Sequence, residues 1–352
     1  MKDPYRVIIW GPGSVGTAVL KCLHGRPDFT IAGVLCHSDH KVGIDVGTYI
    51  GRDPIGVALS NDREAVFALD ADVVIYTGMV PIDHEQMDRD ILQLLASGKN
   101  VISASAYWYP HLKGPDYVAR IEEACRKGRS SLHGSGELPG VFLDRVAMAM
   151  TGVCMNVESL RLEEWFDVSS LPVPLMNMFG LGVPEAAASQ AVPMVEPMLL
   201  RAYHEEISLI AHTLFEAPTD VRIATTFEVS DGPIALPGGT TLPPGLVSML
   251  RFGFIGTVGS EDRFEIVLNW SLGKPERWQI EIEGDPVSLR ADIHAFATLK
   301  GDQRFRAGDT TCPGHYATAV PLVQAIPQVV AAQPGIVYPT IFTSAKKDYR
   351  TL

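Results

Sequence analysis

The sequence contains few cysteines and no clustered metal ligands. The five cysteines are widely scattered, and none belongs to a Cys-x-x-Cys pair: Cys22, Cys36, Cys125, Cys154 and Cys312. An odd number of widely spaced cysteines is typical of free thiols in a reducing compartment, so we expect no disulfide framework. No His/Cys or His/Glu cluster has the spacing of metal ligands, and we therefore expect no zinc or other metal site.

Basic charge and long hydrophobic runs are also lacking. The formal net charge is −12, whereas a nucleic-acid-binding protein needs a basic face to contact phosphates. No window approaches the roughly 18 apolar residues of a membrane span. The apolar run at residues 6–10 is too short for a signal peptide and indicates a first strand. We therefore expect a cytoplasmic protein that acts on a small molecule, with neither nucleic acid nor membrane as a partner.

The first third of the chain alternates between strand-like and helix-like patterns. Short apolar runs occur at residues 6–10, 30–35, 72–78 and 100–105, separated by amphipathic stretches that often end in glycine. Short buried strands that alternate with helices are typical of a parallel sheet covered on both faces. The pattern therefore predicts an α/β fold in this part of the chain.

The pattern changes after residue 138. Between residues 159 and 285, five stretches show apolar residues at a period near two, which predicts a largely antiparallel sheet. We expect a helix over residues 192–216 with its two prolines, Pro193 and Pro197, in the first turns. These features indicate an α+β domain over residues 139–312. The apolar tail, residues 313–352, is expected to form a helix that packs back on the body.

A glycine-rich turn follows the first strand. The stretch GPGSVG at residues 11–16 matches G-x-G-x-x-G and lies between a predicted strand and a predicted helix. In such a turn the first glycine allows the tight bend, the second admits a diphosphate, and the third lets the helix pack closely. The amides of the helix N-terminus then face the anion. We expect five residues to bind the dinucleotide: Gly11, Gly13, Ser14, Val15 and Gly16. The alternative is a turn without a ligand.

The end of the second strand favours NADP as the cofactor. An acidic residue usually holds the ribose hydroxyls of NAD at this position, but here the strand ends in a cysteine followed by His37 and Ser38. Ser38 can donate a hydrogen bond to a 2′-phosphate, and His37 and Lys41 can supply positive charge. In the alternative, Asp39 serves NAD.

Two further loops are expected near the cofactor. Ligands of open α/β sheets lie beyond the carboxyl ends of the strands. We therefore expect Thr77 and Gly78 to lie near the ribose on the nicotinamide side, and the loop after residue 105 to lie near the reacting ring. The alternative is that these are ordinary turns at strand ends.

The glycine turn, residues 36–51, HGSGELPG at residues 133–140 and the tail at residues 318–336 together resemble a known family. It is the dihydrodipicolinate-reductase-like group that includes 2,4-diaminopentanoate dehydrogenase and the native NAD(P)H-dependent amine dehydrogenases. The resemblance implies a Rossmann domain over residues 1–138 and a substrate and dimerisation domain over residues 139–312. It also implies a site in the cleft between them, a homodimer, and hydride transfer between a nicotinamide and a C=N or C=O carbon.

One departure from the family affects the expected chemistry. Amine dehydrogenases of this group carry a glutamate in the loop after the fifth strand, but residues 103–110 contain no carboxylate. Tyr107 lies where that glutamate would be, so we take it as the first candidate proton donor and Glu137 as the second. His133 is a candidate for orienting the substrate or the cofactor. In the alternatives, Tyr107 is pocket wall, His133 is structural, and Glu137 is favoured by a helix N-terminus.

Aromatic and methionine side chains suggest an apolar substrate pocket, although they also suit an ordinary core. The candidate pocket residues are Trp108, Trp165, Phe166, Met176 and Phe179. The function expected is NAD(P)H-dependent transfer of hydride to a C=N or C=O carbon of a small, mostly apolar substrate. The alternatives are a ketone or aldehyde reductase and a non-catalytic NADP-binding sensor.

Overall fold

The structure, a computed structural model, divides into two compact units. The residues that it describes are 3–78, 84–169, 171–237, 239–296, 298–300 and 308–340. The first unit holds the described residues up to Phe142 and those from 298 to Thr340, and the second unit runs from Leu143 to Phe296. The chain therefore returns to the first unit near its C-terminal end.

The first unit alternates strands and helices. In chain order they are β1 Tyr5–Trp10, α1 Ser14–Leu23, β2 Phe29–Leu35, α2 Val46–Tyr49, β3 Leu59–Ser60, α3 Arg63–Ala68, β4 Val73–Tyr76, α4 His84–Ala96, β5 Asn100–Ser103, α5 Pro115–Gly128 and β6 Ser131–Gly134. A wide helical segment, Glu137–Ala147, then leads into the second unit, with non-helical backbone from Leu138 to Gly140.

The second unit contains most of the remaining elements. They are α6 Met148–Met150, β7 Asn156–Asp167, α7 Val173–Phe179, α8 Glu185–Phe215, β8 Asp220–Val229, β9 Ile234–Ala235, β10 Thr241–Leu242, β11 Val247–Val258, β12 Glu261–Ser271, β13 Arg277–Asp285 and β14 Leu289–His294. Helix α9, Pro313–Ala331, and strand β15, Gly335–Ile336, belong to the first unit.

The sheet of the first unit is parallel, with strand order β15-β6-β5-β4-β1-β2-β3. Six of these strands follow the 3-2-1-4-5-6 order of the Rossmann fold. The central strands are apolar without interruption because helices cover both faces: residues 7–9 of β1 and 73–75 of β4 are all 0% exposed. The predicted α/β fold with a parallel N-terminal sheet is confirmed.

Helix α9 packs on the first unit through apolar and charged contacts. Its Leu322 and Ile326 share one buried core cluster with residues of α1, β1 and β4. Just before the helix, the Asp309 carboxylate accepts a hydrogen bond of 2.9 Å from Lys21 of α1 and another from Tyr316. Burial alone would raise the pKa of Asp309, but the hydrogen bonds from Tyr316, Thr311 and Lys21 hold it well below its ordinary value.

The sheet of the second unit is mixed, with strand order β14-β13-β7-β12-β11-β8. All neighbours are antiparallel except β7 and β12, which run parallel. Helix α8 lies against β8 and β11, and its Tyr203 ring stacks on Phe254 with ring centroids 4.5 Å apart. The prediction of a largely antiparallel second sheet is therefore confirmed.

The expected start of the long helix is wrong. Helix α8 begins at Glu185, seven residues before the predicted start, and both Pro193 and Pro197 lie inside it. A proline inside a helix removes a backbone hydrogen bond. Here the flanking residues Val192 and Val195 are buried, so packing of the helix face outweighs that loss.

Candidate active site

The glycine turn connects β1 to α1 at the carboxyl edge of the parallel sheet. Gly11 has φ +95°, and a Cβ atom there would lie 2.7 Å from the Gly78 Cα atom. A Cβ atom on Gly16 would overlap the Gly11 carbonyl oxygen. These two positions require glycine because backbone and neighbouring loop pack against them.

Gly13 differs from the other two glycines of the turn because its open side faces empty space. Its φ of −79° is allowed for any residue, and a Cβ atom there would have no neighbouring heavy atom within 4 Å. Helix α1 begins at the next residue, Ser14, and no side chain caps it. Amides at such a helix N-terminus attract anions. The turn therefore has the space and the charge that a diphosphate needs.

Thr77 and Gly78 follow β4 and brace the glycine turn. The Thr77 amide donates a hydrogen bond of 2.8 Å to the Trp10 carbonyl oxygen, and its hydroxyl donates one of 2.7 Å to the Gly11 carbonyl oxygen. Gly78 lies directly against Gly11. The structure thus brings these two predicted residues together with the turn, while their predicted contact with the cofactor ribose stays a prediction. Residues 79–81, also part of this predicted loop, lie outside the described residues.

Lys41 reaches the glycine turn from the loop after β2. Its ammonium donates hydrogen bonds to the Pro12 carbonyl oxygen at 3.1 Å and to the Tyr49 hydroxyl at 2.9 Å. Tyr49 itself donates to the Pro12 carbonyl oxygen at 2.7 Å. An ammonium has three donor hydrogens, so two protein contacts leave capacity for a phosphate oxygen.

The other residues of this loop are more open. His37 and Asp39 are exposed and Ser38 is half-buried. The Asp39 carboxylate accepts a hydrogen bond of 2.9 Å from the Asn61 side chain, so part of its hydrogen-bonding capacity is already used. This contact makes Asp39 less available to the ribose hydroxyls of NAD.

The Tyr107 side chain is buried, and its hydroxyl is hydrogen-bonded to the Asp88 carboxylate. Its phenol donates a hydrogen bond of 2.6 Å to Asp88 of α4, and Tyr117 of α5 donates a second one of 2.6 Å to the same oxygen. Tyr107 is 1% exposed and has φ +75°. Burial raises its pKa well above the ordinary value, and Tyr117 and Asp88 raise it further. This geometry disfavours the predicted role of Tyr107 as proton donor, because its proton is committed to Asp88.

The loop from Ser103 to Trp108 is fixed by its own hydroxyls and by its neighbours. The Ser105 hydroxyl donates a hydrogen bond of 2.5 Å to the Gly78 carbonyl oxygen. A Cβ atom on Gly134, at the end of β6, would lie 2.5 Å from the Tyr107 carbonyl oxygen. The loop therefore packs between the carboxyl ends of β4 and β6, where open α/β sheets bind ligands.

His133 and Glu137 lie at the end of β6. His133 is 3% exposed, and its Nδ1 atom lies 2.9 Å from the Val337 carbonyl oxygen. A carbonyl oxygen only accepts, so Nδ1 carries the proton and donates. Glu137 is 5% exposed and accepts a hydrogen bond of 3.3 Å from the Thr318 hydroxyl of α9. It supplies a buried carboxyl group three residues from Gly134.

A second buried carboxyl group was not predicted. Asp144 is 6% exposed in the segment that Glu137 begins. Burial raises its pKa to about 6, although the Arg145 guanidinium beside it acts in the opposite direction. No sequence pattern marks this residue, because its burial depends on the packing of the wide helical segment.

The other predicted pocket residues lie on β7 and α7 in the second unit. Trp165 and Phe166 are neighbours on strand β7 and point to opposite faces of the sheet. One face of the sheet therefore does not carry both, and their place in a substrate pocket stays a prediction. The Arg277 guanidinium lies 3.7 Å from the centroid of the Trp165 ring. Met176 is fully buried, and Phe179 packs edge-on against Trp270 at 5.3 Å.

Comparisons with known proteins agree with the fold and the glycine turn. Residues 5–78 match the model of the dihydrodipicolinate reductase N-terminus. An amine dehydrogenase of Streptomyces virginiae is 26% identical over 348 residues, which cover 94% of this chain and 93% of that protein. A 2,4-diaminopentanoate dehydrogenase of Acetoanaerobium sticklandii is 23% identical over 341 residues, 95% of this chain and 92% of that protein. The chain is thus similar, over nearly its whole length, to NAD(P)-dependent oxidoreductases of the dihydrodipicolinate-reductase-like group.

A solved structure of the group has the same fold along nearly the whole chain. The amine dehydrogenase from Mycobacterium smegmatis superimposes with a TM-score of 0.74 and 20% identity, covering 96% of each chain. Within the described ranges, no helix of this chain is long and apolar enough to cross a membrane. In the same ranges, no three His, Cys, Asp or Glu residues come together as metal ligands.

Proposed function

We propose that the protein uses NADPH to reduce a C=N or C=O carbon of a small, mostly apolar substrate. The observation that carries the proposal is the glycine turn, where Gly13 leaves open space in front of an uncapped helix N-terminus. The names of the two relatives over nearly the full chain, amine dehydrogenase and 2,4-diaminopentanoate dehydrogenase, support chemistry at a carbon–nitrogen bond.

The choice of NADPH over NADH is supported by the loop after β2. Lys41 lies on the glycine turn with its ammonium against Pro12 and Tyr49, while the acidic candidate Asp39 is engaged by Asn61. A lysine at this point favours a 2′-phosphate over a free hydroxyl. Ser38 and His37 lie in the same loop and can assist.

We assign the proton donor to Glu137 rather than Tyr107. The loop after β5 lacks the glutamate that amine dehydrogenases of the group carry, and the Tyr107 phenol is bound to Asp88. Glu137 is a buried carboxyl group at the end of the next strand, and a buried carboxylic acid can deliver a proton as hydride arrives. His133 lies on that same strand and is assigned to orient the bound ligands.

The absence of a carboxylate from residues 103–110 favours a second candidate function, reduction of a carbonyl or a preformed imine without ammonia.

One assay distinguishes this function from ammonia-dependent amination. NADPH and NADH oxidation is measured against apolar ketones, aldehydes and cyclic imines, each with and without ammonia. Turnover that requires ammonia supports amine dehydrogenase activity, and turnover without it supports carbonyl or imine reduction. Tight NADPH binding with no turnover on the panel contradicts both.

The proposal includes a homodimer, which the resemblance to the family implies. The oligomeric state is measured by sedimentation in the presence and absence of NADPH. A monomer under both conditions contradicts it.

A further inference from the structure

The indole of Trp108 carries a buried hydrogen-bond donor without an acceptor in the described part of the chain. Trp108 is 5% exposed, and its Nε1 atom has no hydrogen-bond partner among the described residues. Leaving a buried donor unsatisfied costs about 1–3 kcal/mol. Buried polar groups in folded proteins nearly always have a partner, so an unpaired indole in a rigid loop indicates a missing ligand.

The loop that carries Trp108 lies at the carboxyl end of the parallel sheet. The backbone amide of Trp108 packs against Gly134 at the carboxyl end of β6, and Ser105 of the same loop bonds to Gly78 at the end of β4. The loop thus lies at the edge of the sheet where Rossmann folds bind their ligands. The adjacent phenol of Tyr107 is tied to Asp88, which holds the loop in place without a ligand.

The chemistry of indole restricts what it can do there. The N–H group only donates and does not lose its proton at neutral pH, so it can orient an acceptor atom but cannot supply a proton. We propose that the Trp108 N–H donates a hydrogen bond to the carbonyl oxygen of a ketone or aldehyde substrate and positions the reacting carbon. This inference rests on the proposed function, since it assumes that a carbonyl compound enters the site.

The test combines one protein change with one ligand change. Wild type and Trp108→Phe are saturated with NADP⁺, which cannot react with a ketone. Binding is then compared for the best ketone of the panel and for the hydrocarbon of the same shape, with CH₂ in place of oxygen. Such a cycle isolates the single contact between indole and oxygen.

We expect wild type to bind the ketone more tightly than the hydrocarbon, and Trp108→Phe to lose that preference by about 3- to 10-fold. The affinity for NADPH should stay the same in both proteins. An unchanged preference in Trp108→Phe overturns the inference. A weaker affinity for NADPH with an unchanged ketone preference also overturns it, because the acceptor then lies on the nicotinamide carboxamide.

A matched tryptophan controls for packing. Trp278 is also buried, but its indole donates a hydrogen bond of 3.1 Å to the Glu164 carboxylate. Trp278→Phe should lower the Tm of the ligand-free protein at least twice as much as Trp108→Phe, because only Trp278 loses a protein partner. Equal losses would mean that Trp108 has a structural partner, against the inference. If the wild-type protein turns over no carbonyl compound, the proposed function is wrong. If it turns over carbonyl compounds and Trp108→Phe keeps the preference for the ketone, only the inference about Trp108 is wrong.

Discussion

The phenol of Tyr107 and the carboxylate of Asp88 are joined by a hydrogen bond of 2.6 Å that fixes the loop after β5. Tyr107 itself has φ +75°, a backbone conformation that non-glycine residues rarely adopt. The same carboxylate also accepts from Tyr117. Two phenols on one carboxylate thus position the segment that contains Trp108, and the loop is organised before any ligand binds.

Tyr107→Phe should destabilise the protein without removing its activity. Without the Tyr107 hydroxyl, Asp88 accepts one hydrogen bond fewer, which should lower the free energy of unfolding by about 1–3 kcal/mol. We expect the turnover rate to change by less than about 3-fold. Tyr117→Phe is the matched control, because its phenol donates to the same Asp88 oxygen from outside the loop. A turnover rate reduced by roughly two orders of magnitude in Tyr107→Phe alone would restore Tyr107 as the proton donor.

Gly13→Val should weaken nucleotide binding and keep the fold. A Cβ atom at Gly13 would have no heavy atom within 4 Å and its φ is ordinary, so we expect the added side chain to enter the space assigned to the diphosphate. We expect an NADPH Kd at least about 10-fold higher, equivalent to about 1.4 kcal/mol, with Tm nearly unchanged. Gly16→Ala is the contrasting variant, since its Cβ would overlap the Gly11 carbonyl oxygen and lower Tm. Wild-type affinity for NADPH in Gly13→Val would disprove the assignment of the turn.

Lys41→Met should weaken NADPH far more than NADH. A charge-assisted hydrogen bond to a phosphate contributes about 1.5–3 kcal/mol, which corresponds to roughly 10- to 100-fold in Kd. NADH is the internal control, because Lys41 also supports Pro12 and Tyr49 at the glycine turn. Equal losses for both nucleotides would assign Lys41 to turn support only. Titrations of wild type and variant with both nucleotides give the answer.

The sequence predicted the parts of the site that depend on local pattern. The turn at residues 11–16, the strands before and after it and the fold class follow from glycine spacing and apolar runs. The role of Thr77 as a brace, and the burial of Tyr107 and Asp144, depend on residues distant in the chain. No local signal predicts them.

The opposite directions of two predicted pocket residues also follow from the sequence. Trp165 and Phe166 lie in a stretch with a period of two, so their opposite directions follow from the pattern that predicted the strand. The prolines of α8 are a different case. Propensity argues against Pro193 and Pro197 inside a helix, and the tertiary packing of that helix decides otherwise.

Glu137→Gln should lower kcat by about 10²- to 10⁴-fold, the usual contribution of a positioned acid or base. NADPH affinity should be unchanged, because the predicted nucleotide contacts lie on the glycine turn and the loop after β2. Thr318→Val is the matched control. It removes the hydrogen bond to Glu137 and one within α9 to the Gly314 carbonyl oxygen but keeps the carboxyl group, and it should reduce kcat less than about 10-fold. The pH–rate profile of Glu137→Gln should also lose one limb. A profile and a turnover rate like those of wild type would exclude Glu137 as the proton donor.

Asp144→Asn should change how stability depends on pH. Burial raises the pKa of Asp144 from 3.8 to about 6, so the folded state binds this proton more tightly than the unfolded state. Its contribution to stability is therefore complete below about pH 4 and is lost as the pH rises through 6. The two-unit shift corresponds to about 3 kcal/mol.

Asparagine has no proton to lose. As the pH rises from about 4 to 7, the free energy of unfolding of the variant in urea should therefore rise by roughly that amount relative to wild type. Asp262→Asn should show the opposite sign in a lower pH window. The hydrogen bond from Arg222 lowers the pKa of Asp262 from 3.8 to about 2, so its contribution is lost only as the pH falls from about 4 to 2. Parallel stability curves for wild type and Asp144→Asn across this range would show that Asp144 is ionised in the folded protein.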